Sequence, residues 1–539
     1  MKFALVQLNP IVGDLNYNFN LMKTYCERCA KDNVSFVVFS ECILTGYPPQ
    51  DLLLQAHFIK DVHRSIDAIK TFSITVPNLA ICFGTPFQEG SDLFNSACVI
   101  QNGVLLFQQY KFNLPQYDVF DEKRYFSSSV TQDVFIFKGY RIGITICEDA
   151  WVTQSDSYEH NPIDLFHDKQ LDVLLNLSAS PFERGKDQIR FDLFSKHAQR
   201  LGVPVIMVNQ VGGNDQLIFD GNSFAVSAFG DVLCQLSSFS ADMTVMSLDD
   251  TPKSDGVYSK LAPINSIHDA LVLGIRDYVH KTGFKDVVIG LSGGIDSAVT
   301  CVLAVRALGA NHVRGISLPS QFSSDGSLID AKALAENLGI DYSVISINAT
   351  YNQLLMDLAP MFNDLAGDVT EENIQARSRG VLLMAIANKF NSLVLATGNK
   401  SELAMGYCTL YGDMCGALAV LADVLKTCVY ELASCINSDS IIIPDNSINK
   451  APSAELRPNQ KDSDSLPSYD TLDEIITYYI EEGLSANDII NHGYDDTLVL
   501  DVIKQINQNE YKRFQAAMPL RISSKSFGMG RRFPIASKT

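Results

Sequence analysis

The stretch that decides the fold of the carboxyl-terminal half is Gly290-Leu-Ser-Gly-Gly-Ile-Asp-Ser297. The apolar run at 286–289 before it predicts a strand, and residues 298–308 after it predict a helix. Glycines allow the backbone between them to turn tightly, and the free amides at the start of a helix attract an anion. The stretch therefore predicts a phosphate-binding turn between a strand and a helix.

Strands and helices continue to alternate beyond this turn. The sequence predicts strands at 287–291, 313–318, 342–347 and 393–396, and helices at 295–308, 325–338 and 372–390. Strands that alternate with helices form a parallel sheet covered on both faces. We therefore predict a doubly wound parallel-sheet α/β domain over residues 266–539, with a mainly helical extension at its carboxyl end.

The phosphate-binding turn lacks the lysine of an ordinary P-loop, because Asp296 stands where that lysine would be. A carboxylate beside phosphates is useful when it holds Mg²⁺, which shields the polyphosphate as it leaves. The turn resembles the pyrophosphatase loop of adenylating ATP enzymes. That resemblance implies that ATP binds along the whole turn: Gly290, Leu291, Ser292, Gly293, Gly294, Ile295, Asp296 and Ser297.

Three further motifs resemble those of the NAD synthetase family: Thr370-Glu-Glu-Asn-Ile-Gln-Ala-Arg-Ser-Arg379, Leu395-Ala-Thr-Gly-Asn-Lys-Ser-Glu402 and Tyr411-Gly-Asp413. By this resemblance Thr397 contacts ATP, and Asp296 and Glu402 hold Mg²⁺. The resemblance also implies that deamido-NAD contacts Asn373, Glu402 and Lys512. Taken singly, a turn at Thr397, a helix cap at Asn373 and a solvated lysine at 512 are the simpler interpretations.

A polar stretch with several prolines, residues 444–469, shows no regular pattern. It resembles the flexible loop that covers the site in the same family. A passive surface loop is the simpler alternative, although long irregular loops often carry function.

The amino-terminal half is rich in short apolar runs, which predict strands near 36–39, 79–83, 104–107, 141–146, 173–177 and 204–208. The runs are apolar on both faces and helical patterns lie between them, so we expect helices to cover the sheets. Residues 1–250 are thus predicted to form a layered α/β sandwich. The periodicity is lost after residue 249, and we predict a linker at 251–265.

Cys147 follows an apolar strand and could be presented there as a nucleophile, although any one cysteine is by default a small buried residue. Glu41 and Lys111 also stand at predicted strand ends. The three together resemble the Glu-Lys-Cys triad of the nitrilase superfamily, which hydrolyses amides. This family resemblance implies the layer order α-β-β-α for the sandwich of residues 1–250. The lysine cation would favour thiolate, Glu41 would move protons, and Lys111 with the amide after Cys147 would stabilise an oxyanion.

The same resemblance suggests auxiliary residues. Glu122 matches a second, positioning glutamate, and a surface glutamate is its simpler interpretation. Tyr117, Ser180 and Lys186 lie where glutamine-using relatives hold their substrate. The Cys26-x-x-Cys29 pair is better explained by two small residues on one helix face than by a metal site, because no second pair has zinc spacing.

Composition restricts the class of protein. Of 539 residues 46% are apolar and 19% charged, which predicts two globular domains. A net charge of −20 argues against nucleic acid and anionic membranes as partners. The first apolar run is too short for a secretory signal or a membrane span. Twelve scattered cysteines predict reduced thiols and a cytoplasmic location.

A nitrilase-like amidase followed by an adenylating domain is the arrangement of glutamine-dependent NAD synthetases. This resemblance implies a ligase that uses glutamine, ATP and deamido-NAD, requires Mg²⁺, releases AMP and pyrophosphate, and forms homo-oligomers. Two alternatives remain at this point. One is an inactive binding or regulatory protein of the same architecture, and the other is a related amidotransferase for a different nucleotide carboxylate.

Overall fold

The computed structural model describes residues 1–152, 158, 160–250, 257–363 and 365–537. The chain divides into two compact units, Met1–Leu261 and Ala262–Thr539. Within the predicted linker 251–265, residues 251–256 lie outside the described part. Tyr258 stacks on Phe191 of the first unit at 4.4 Å between ring centroids, and the first helix of the second unit begins at Pro263.

The first unit contains two six-stranded sheets. Its strands are β1 (Lys2–Gln7), β2 (Phe36–Val38), β3 (Ala80–Glu89), β4 (Asp92–Gln101), β5 (Val104–Tyr110), β6 (Val134–Phe137), β7 (Tyr140–Ile146), β8 (Val173–Ser178), β9 (Val205–Asn209), β10 (Val211–Asn214), β11 (Leu217–Asp220), β12 (Phe224–Val226), β13 (Val232–Gln235) and β14 (Asp242–Ser247). Its helices are α1 (Leu15–Lys31), α2 (Ala56–Ser73) and α3 (Lys186–Leu201).

The two sheets repeat one pattern of pairing. Their orders are β14-β1-β2-β3-β4-β5 and β6-β7-β8-β9-β12-β13. In each order, one antiparallel pair is followed by two parallel pairs and then by two antiparallel pairs. The unit is therefore built from two structurally similar halves.

The sheets pack face to face, and helices cover their outer faces. Along β1, Phe3 and Leu5 point to the second sheet and share a core with Ile144. The alternate residues Ala4 and Val6 pack with α1 and α2, and the outer face of the second sheet packs with α3. This period-two alternation confirms the predicted α-β-β-α sandwich.

The second unit has one sheet and many helices. Its elements are α4 (Pro263–Lys281), β15 (Val287–Gly290), α5 (Ile295–Leu308), β16 (Val313–Ser317), α6 (Asp325–Leu338), β17 (Asp341–Val344), α7 (Asn348–Phe362), α8 (Val369–Phe390), β18 (Leu393–Ala396), α9 (Lys400–Met405), β19 (Leu418–Ala419), α10 (Lys426–Ile436), α11 (Asp445–Asn449), α12 (Tyr469–Ile476), α13 (Ala486–Asn491), α14 (Asp496–Gln508), α15 (Glu510–Arg513) and β20 (Met518–Pro519). Among the described helices, none is both long enough and apolar enough to cross a membrane.

The sheet of the second unit has the order β17-β16-β15-β18-β19-β20 and is parallel throughout. The chain winds outward from β15 in one direction and then, from β18, in the other. This confirms the predicted doubly wound fold. Ligands of such sheets bind beyond the carboxyl ends of the strands where the order reverses, which here is between β15 and β18.

Some elements differ from prediction. Helix α7 was not predicted, because only Tyr351 of its fifteen residues is buried and the apolar periodicity facing the core is therefore weak. The predicted irregular stretch 444–469 contains the short helix α11. Strand β5 was predicted to be apolar on both faces, yet Val104 and Leu106 are exposed because β5 is the edge of its sheet.

The cysteines agree with the simpler interpretation of the sequence. All twelve carry free thiols. Cys26 and Cys29 are buried in α1 and pack in the core between this helix and the first sheet. The pair is therefore part of the hydrophobic core.

Candidate active sites

Four predicted residues of the first unit meet in one buried cluster, and three of them stand at the ends of strands. Glu41, Lys111 and Cys147 follow β2, β5 and β7, respectively, and all three are buried. The ammonium of Lys111 donates to Glu41 Oε1 at 2.7 Å and to Glu122 Oε1 at 2.7 Å. Glu41 and Lys111 also act electrostatically on the Cys147 thiol. The structure thus brings the nucleophile candidate, one cation and two carboxylates into one buried cluster.

Neighbouring groups fix both carboxylates. Asn95 on β4 donates to Glu41 Oε1 at 2.7 Å, and the Ala179 amide donates to Glu41 Oε2 at 2.9 Å. Tyr47 donates its hydroxyl to Glu122 Oε1 at 2.8 Å. Buried carboxylates need such partners. Glu41 therefore has little freedom to turn away from Lys111.

Lys111 lowers the pKa of the Cys147 thiol, in the direction expected of a lysine that favours thiolate, but burial and Glu41 outweigh it. Burial alone would lower the pKa of Lys111, but Glu122 and Glu41 raise it well above its usual value. Burial and the Glu41 charge raise the pKa of Cys147, and the opposing effect of Lys111 is smaller. The resting cysteine is therefore a thiol, because burial and Glu41 raise its pKa by more than Lys111 lowers it.

Asp149 connects the turn that carries Cys147 to the segment that carries Lys111. Its Oδ1 accepts from the amides of Phe112 at 3.0 Å and Asn113 at 2.8 Å. Its Oδ2 accepts from the Ile146 amide at 3.0 Å. Burial raises the pKa of Asp149 to about 7, while these backbone amides lower it. The carboxylate holds a turn in which Cys147 has a left-handed φ of 41°.

We expect Asp149→Asn to impair glutamine hydrolysis with little change in KM. An asparagine that keeps its oxygen on Phe112 and Asn113 turns its NH₂ toward the Ile146 amide, and two donors repel. The resulting displacement of Cys147 should lower kcat by about 100-fold, since misplacement of reacting groups by ~1 Å has effects of this size. Steady-state glutaminase kinetics measure this. Unchanged kcat in the folded variant would show that the Asp149 clamp does not position the thiol.

The predicted glutamine-binding residues are only partly brought together. Tyr117 donates to both oxygens of the buried Glu148, at 3.0 and 3.1 Å, and Tyr158 donates to Glu148 Oε1 at 3.1 Å. Lys186 lowers the pKa of Glu148, which burial raises. The Ser180 backbone is held by hydrogen bonds to the Asn209 side chain.

Sequence reasoning missed Asn95, Glu148 and Asp149. Asn95 could have been noticed as a polar residue inside the apolar run of β4, although nothing in the sequence links it to Glu41. Glu148 and Asp149 follow Cys147 directly in the sequence. Their burial marks them as parts of the site, and the sequence does not show that burial.

The phosphate-binding turn of the second unit opens into a cavity of about 310 Å³. The cavity is lined by Thr397, Glu402 and seven residues of the turn: Gly290, Leu291, Ser292, Gly294, Ile295, Asp296 and Ser297. A volume of this size falls at the lower end of the range for small-molecule sites. The predicted ATP residues therefore share one concave site, with Gly293 as the exception.

Gly293 has a structural reason of its own. Its φ is +79°, and a Cβ on this residue would lie 2.2 Å from the Ser327 carbonyl oxygen. Only glycine can occupy this position, because α6 packs directly against the turn. Gly293 is therefore required for the packing of the turn, and its predicted contact with ATP stays a prediction.

The two predicted metal ligands lie together with a lysine that was not predicted. Asn399 Nδ2 donates to Asp296 Oδ1 at 2.9 Å, and the Asn399 amide donates to Glu402 Oε2 at 3.2 Å. Lys426 Nζ lies 2.5 Å from Asp296 Oδ2 and 3.7 Å from Glu402 Oε1. Burial and the Asp296 charge raise the pKa of Glu402 to about 8. Carboxylate oxygens of this kind suit Mg²⁺.

Asn373 and Lys512 each hydrogen-bond to the segment 406–409, which follows α9. Lys512 donates to the carbonyl oxygens of Gly406 at 2.7 Å and Cys408 at 3.0 Å. Asn373 accepts from the Thr409 hydroxyl at 2.7 Å. Neither side chain lines the cavity. The simpler interpretations of both residues are wrong, because Asn373 lies inside α8 and Lys512 is hydrogen-bonded.

The irregular stretch contributes much of the cavity wall. Its residues 450–456 and Asp462 line the cavity. Glu455 accepts from the hydroxyls of Ser324 at 2.8 Å and Ser327 at 2.9 Å, at the start of α6. The passive surface loop is therefore the wrong interpretation. Arg379, the last residue of the motif 370–379, was given no role by the sequence and adds a further cation to the wall.

Comparison with known proteins assigns the family. A carbon-nitrogen hydrolase family model matches residues 2–251 and an NAD synthase model matches residues 267–516. The glutamine-dependent NAD(+) synthetase of Synechocystis sp. is 44% identical over 99% of this chain and 98% of its own. The chain belongs to the glutamine-dependent NAD(+) synthetase family. The predicted family and the predicted enzyme class, a glutamine-dependent ligase that forms NAD, are confirmed.

Solved structures agree. Glutamine-dependent NAD+ synthetase from Acinetobacter baumannii, in complex with ADP, is 39% identical and matches with a TM-score of 0.78 over 99% of this chain and 98% of its own. The Cytophaga hutchinsonii enzyme, at 22% identity, matches over 99% and 97% with a TM-score of 0.83, which shows the shared fold. Membership of the NAD synthase family supports the predicted use of ATP.

Proposed function

We propose that this chain converts deamido-NAD to NAD with ammonia from glutamine, by way of an adenylated nicotinate carboxylate. One observation carries the proposal. The first unit has a buried Cys-Lys-Glu cluster at Cys147, and the second has a phosphate-binding turn beside Asp296 and Glu402. The first arrangement suits amide hydrolysis and the second suits ATP cleavage. Family membership favours deamido-NAD over another nucleotide carboxylate.

In the glutaminase half, Cys147 Sγ attacks the side-chain amide carbon of glutamine while its proton passes to Glu41. The raised pKa of the Cys147 thiol supports this order, because proton removal has to accompany attack. Glu41 then gives the proton to the departing nitrogen, and ammonia leaves. Water hydrolyses the thioester with Glu41 again as base. Lys111 and the amide after Cys147 stabilise the oxyanion, and Glu122 holds Lys111 in place.

Recognition of glutamine as a zwitterion fits the groups around Glu148. A buried carboxylate next to the nucleophile suits the α-ammonium group, and Lys186 suits the α-carboxylate. Tyr117 orients Glu148 and forms part of the pocket, and the loop at Ser180 closes it. These roles are the ones that the predicted residues Tyr117, Ser180 and Lys186 would have.

In the synthetase half, the nicotinate carboxylate attacks the α-phosphorus of ATP and the bond to the β-phosphate breaks. The amides at the start of α5, with Ser292 and Ser297, hold the pyrophosphate. Asp296 and Glu402 would hold Mg²⁺, which supplies neutralisation of the polyphosphate charge. Thr397 contacts ATP, and Asn373, Glu402 and Lys512 bind deamido-NAD. Ammonia then attacks the activated carbonyl, and AMP leaves.

We expect turnover to release AMP and pyrophosphate, and to transfer one carboxylate oxygen to AMP. Deamido-NAD labelled with ¹⁸O in its nicotinate carboxylate should yield AMP that carries one ¹⁸O, because the adenylated carboxyl oxygen leaves with the phosphate. Mass spectrometry of AMP measures this transfer. Stoichiometric ADP and phosphate would falsify the adenylation mechanism, and unlabelled AMP would exclude a carboxylate adenylate.

The proposal extends to a homo-oligomer in the cytoplasm. Helix α7 buries only Tyr351, and Leu354, Met361, Val381 and Met384 on α7 and α8 are exposed. Such apolar surface is typical of subunit interfaces. The free thiols and the use of ATP support a cytoplasmic location. Sedimentation of the purified protein measures its oligomeric state.

A further inference from the structure

Each oxygen of the carboxylate pair Asp296 and Glu402 already faces a donor. Asn399 faces Asp296 Oδ1 with its side chain and Glu402 Oε2 with its amide, at 2.9 and 3.2 Å. Lys426 faces the other two oxygens, at 2.5 Å from Asp296 Oδ2 and 3.7 Å from Glu402 Oε1. Of these donors, the ammonium is the one that brings a positive charge into the place where a metal ion would bind.

The Lys426 charge cannot be dispersed into solvent. Its side chain is only 2% exposed. Inside the protein its ammonium is paired with two carboxylates, Asp296 at 2.5 Å and Glu402 at 3.7 Å. A divalent ion placed at the same carboxylates would lie within a few ångströms of this ammonium and be repelled by it.

We propose that Lys426 is the resident counter-cation of Asp296 and Glu402, which a divalent metal ion must displace, so that metal and nucleotide polyphosphate bind together. This inference rests on the proposed function, in which these carboxylates hold Mg²⁺. Lys426 and the phosphate-binding turn line the same cavity, so a bound polyphosphate offers the displaced ammonium a new anionic partner. Without polyphosphate, a bound metal ion would leave the Lys426 ammonium buried beside a dication, and the ammonium would have no anion to pair with.

The test measures Mn²⁺ binding to the full-length protein by electron paramagnetic resonance, without nucleotide. Lys426→Met should bind Mn²⁺ about tenfold more tightly than the wild type, because about 1.4 kcal/mol of repulsion corresponds to tenfold in affinity. Lys426→Arg keeps the charge and should bind as weakly as the wild type. Lys450→Met is the matched control, since Lys450 lines the same cavity but pairs with Asp330 at 3.3 Å. Its Mn²⁺ affinity should be unchanged.

Coupling to nucleotide is the second measurement. An ATP analogue with a methylene bridge between the α- and β-phosphates should raise Mn²⁺ affinity strongly in the wild type and much less in Lys426→Met. If Lys426→Met does not fold, Lys426→Gln replaces it, because the glutamine amide still donates to Asp296. Lys426→Gln should show the same tighter Mn²⁺ binding and the same smaller effect of the nucleotide analogue, each in weaker form.

The experiments distinguish a failure of the proposed role of Lys426 from a failure of the proposed metal site. One outcome refutes only the role of Lys426. In it, Lys426→Met or Lys426→Gln without nucleotide binds Mn²⁺ no more tightly than the wild type, while Asp296→Ala loses Mn²⁺ binding. Lys426 is then not a counter-cation that the metal must displace, and the proposed metal site is retained. If Asp296→Ala and Glu402→Ala bind Mn²⁺ as the wild type does, with and without the analogue, the metal site of the proposed function is wrong and the inference falls with it. Equal tightening in Lys450→Met would show that cavity charge alone, and not Lys426, controls metal affinity.

Discussion

Cys147→Ala is expected to abolish NAD formation from glutamine and to preserve NAD formation from added ammonium salt. Without Sγ no glutamyl thioester can form, so glutamine-driven synthesis should fall roughly 10⁴-fold or more, as in other enzymes that lose their nucleophile. Adenylation uses the cavity of the second unit, whose lining contains none of the triad residues. Ammonia from solution should therefore still attack the adenylate at the wild-type rate.

The measurement compares NAD formation by Cys147→Ala with each nitrogen donor at saturating ATP and deamido-NAD. Cys29→Ala is the matched control, because Cys29 is also buried in the first unit but lies on α1, in the core between this helix and the first sheet. It should retain both activities. If Cys147→Ala retained glutamine-driven synthesis, Cys147 would be a buried structural cysteine and not the nucleophile. Loss of ammonia-driven synthesis in the folded protein would mean that the two chemistries are not independent.

The positions of the reactive groups could be predicted where they follow a strand. Glu41, Lys111 and Cys147 each stand at the end of an apolar run, and Asp296 stands in a turn between a strand and a helix. In sheets with parallel strands, such ends meet at one edge. Local patterns thus predicted the fold and the strand-end positions, and the resemblance to the nitrilase triad selected Cys147 as the candidate nucleophile. The two auxiliary deamido-NAD residues, Asn373 and Lys512, were recognised by resemblance alone, and their roles remain proposals.

The partners of these groups could not be predicted, because they come from distant segments that carry no local signal. Asn95 reaches Glu41 from another strand, and Lys426 reaches Asp296 from the first residue of α10. The effect of Asn95 and Lys426 on these carboxylates depends on side-chain packing, because packing determines which charges are already neutralised. For the same reason the sequence indicated that Lys111 favours a thiolate but did not reveal that burial and Glu41 raise the pKa of Cys147 by more than Lys111 lowers it.

Asp296→Ala is expected to abolish adenylation and leave glutamine hydrolysis measurable. The substitution removes a carboxylate proposed to hold Mg²⁺ and leaves Lys426 without its 2.5 Å partner. Metal neutralisation of leaving phosphates is worth several kcal/mol, so deamido-NAD-dependent pyrophosphate release should fall by about 10³-fold or more. Glutaminase activity should remain because Cys147 and its partners belong to the other unit.

Pyrophosphate release and glutamate formation measured on the same preparation check this prediction. Asp286→Ala is the matched control, because Asp286 lies just before the opposite end of β15 and pairs with His312 at the surface. It should retain both activities. Excess Mg²⁺ should not restore Asp296→Ala, since Glu402 and Asn399 alone leave the ion one carboxylate short beside a buried ammonium. Adenylation at the wild-type rate would mean that the carboxylate at position 296 serves only to pair with Lys426, and the metal would then have to bind elsewhere in the cavity.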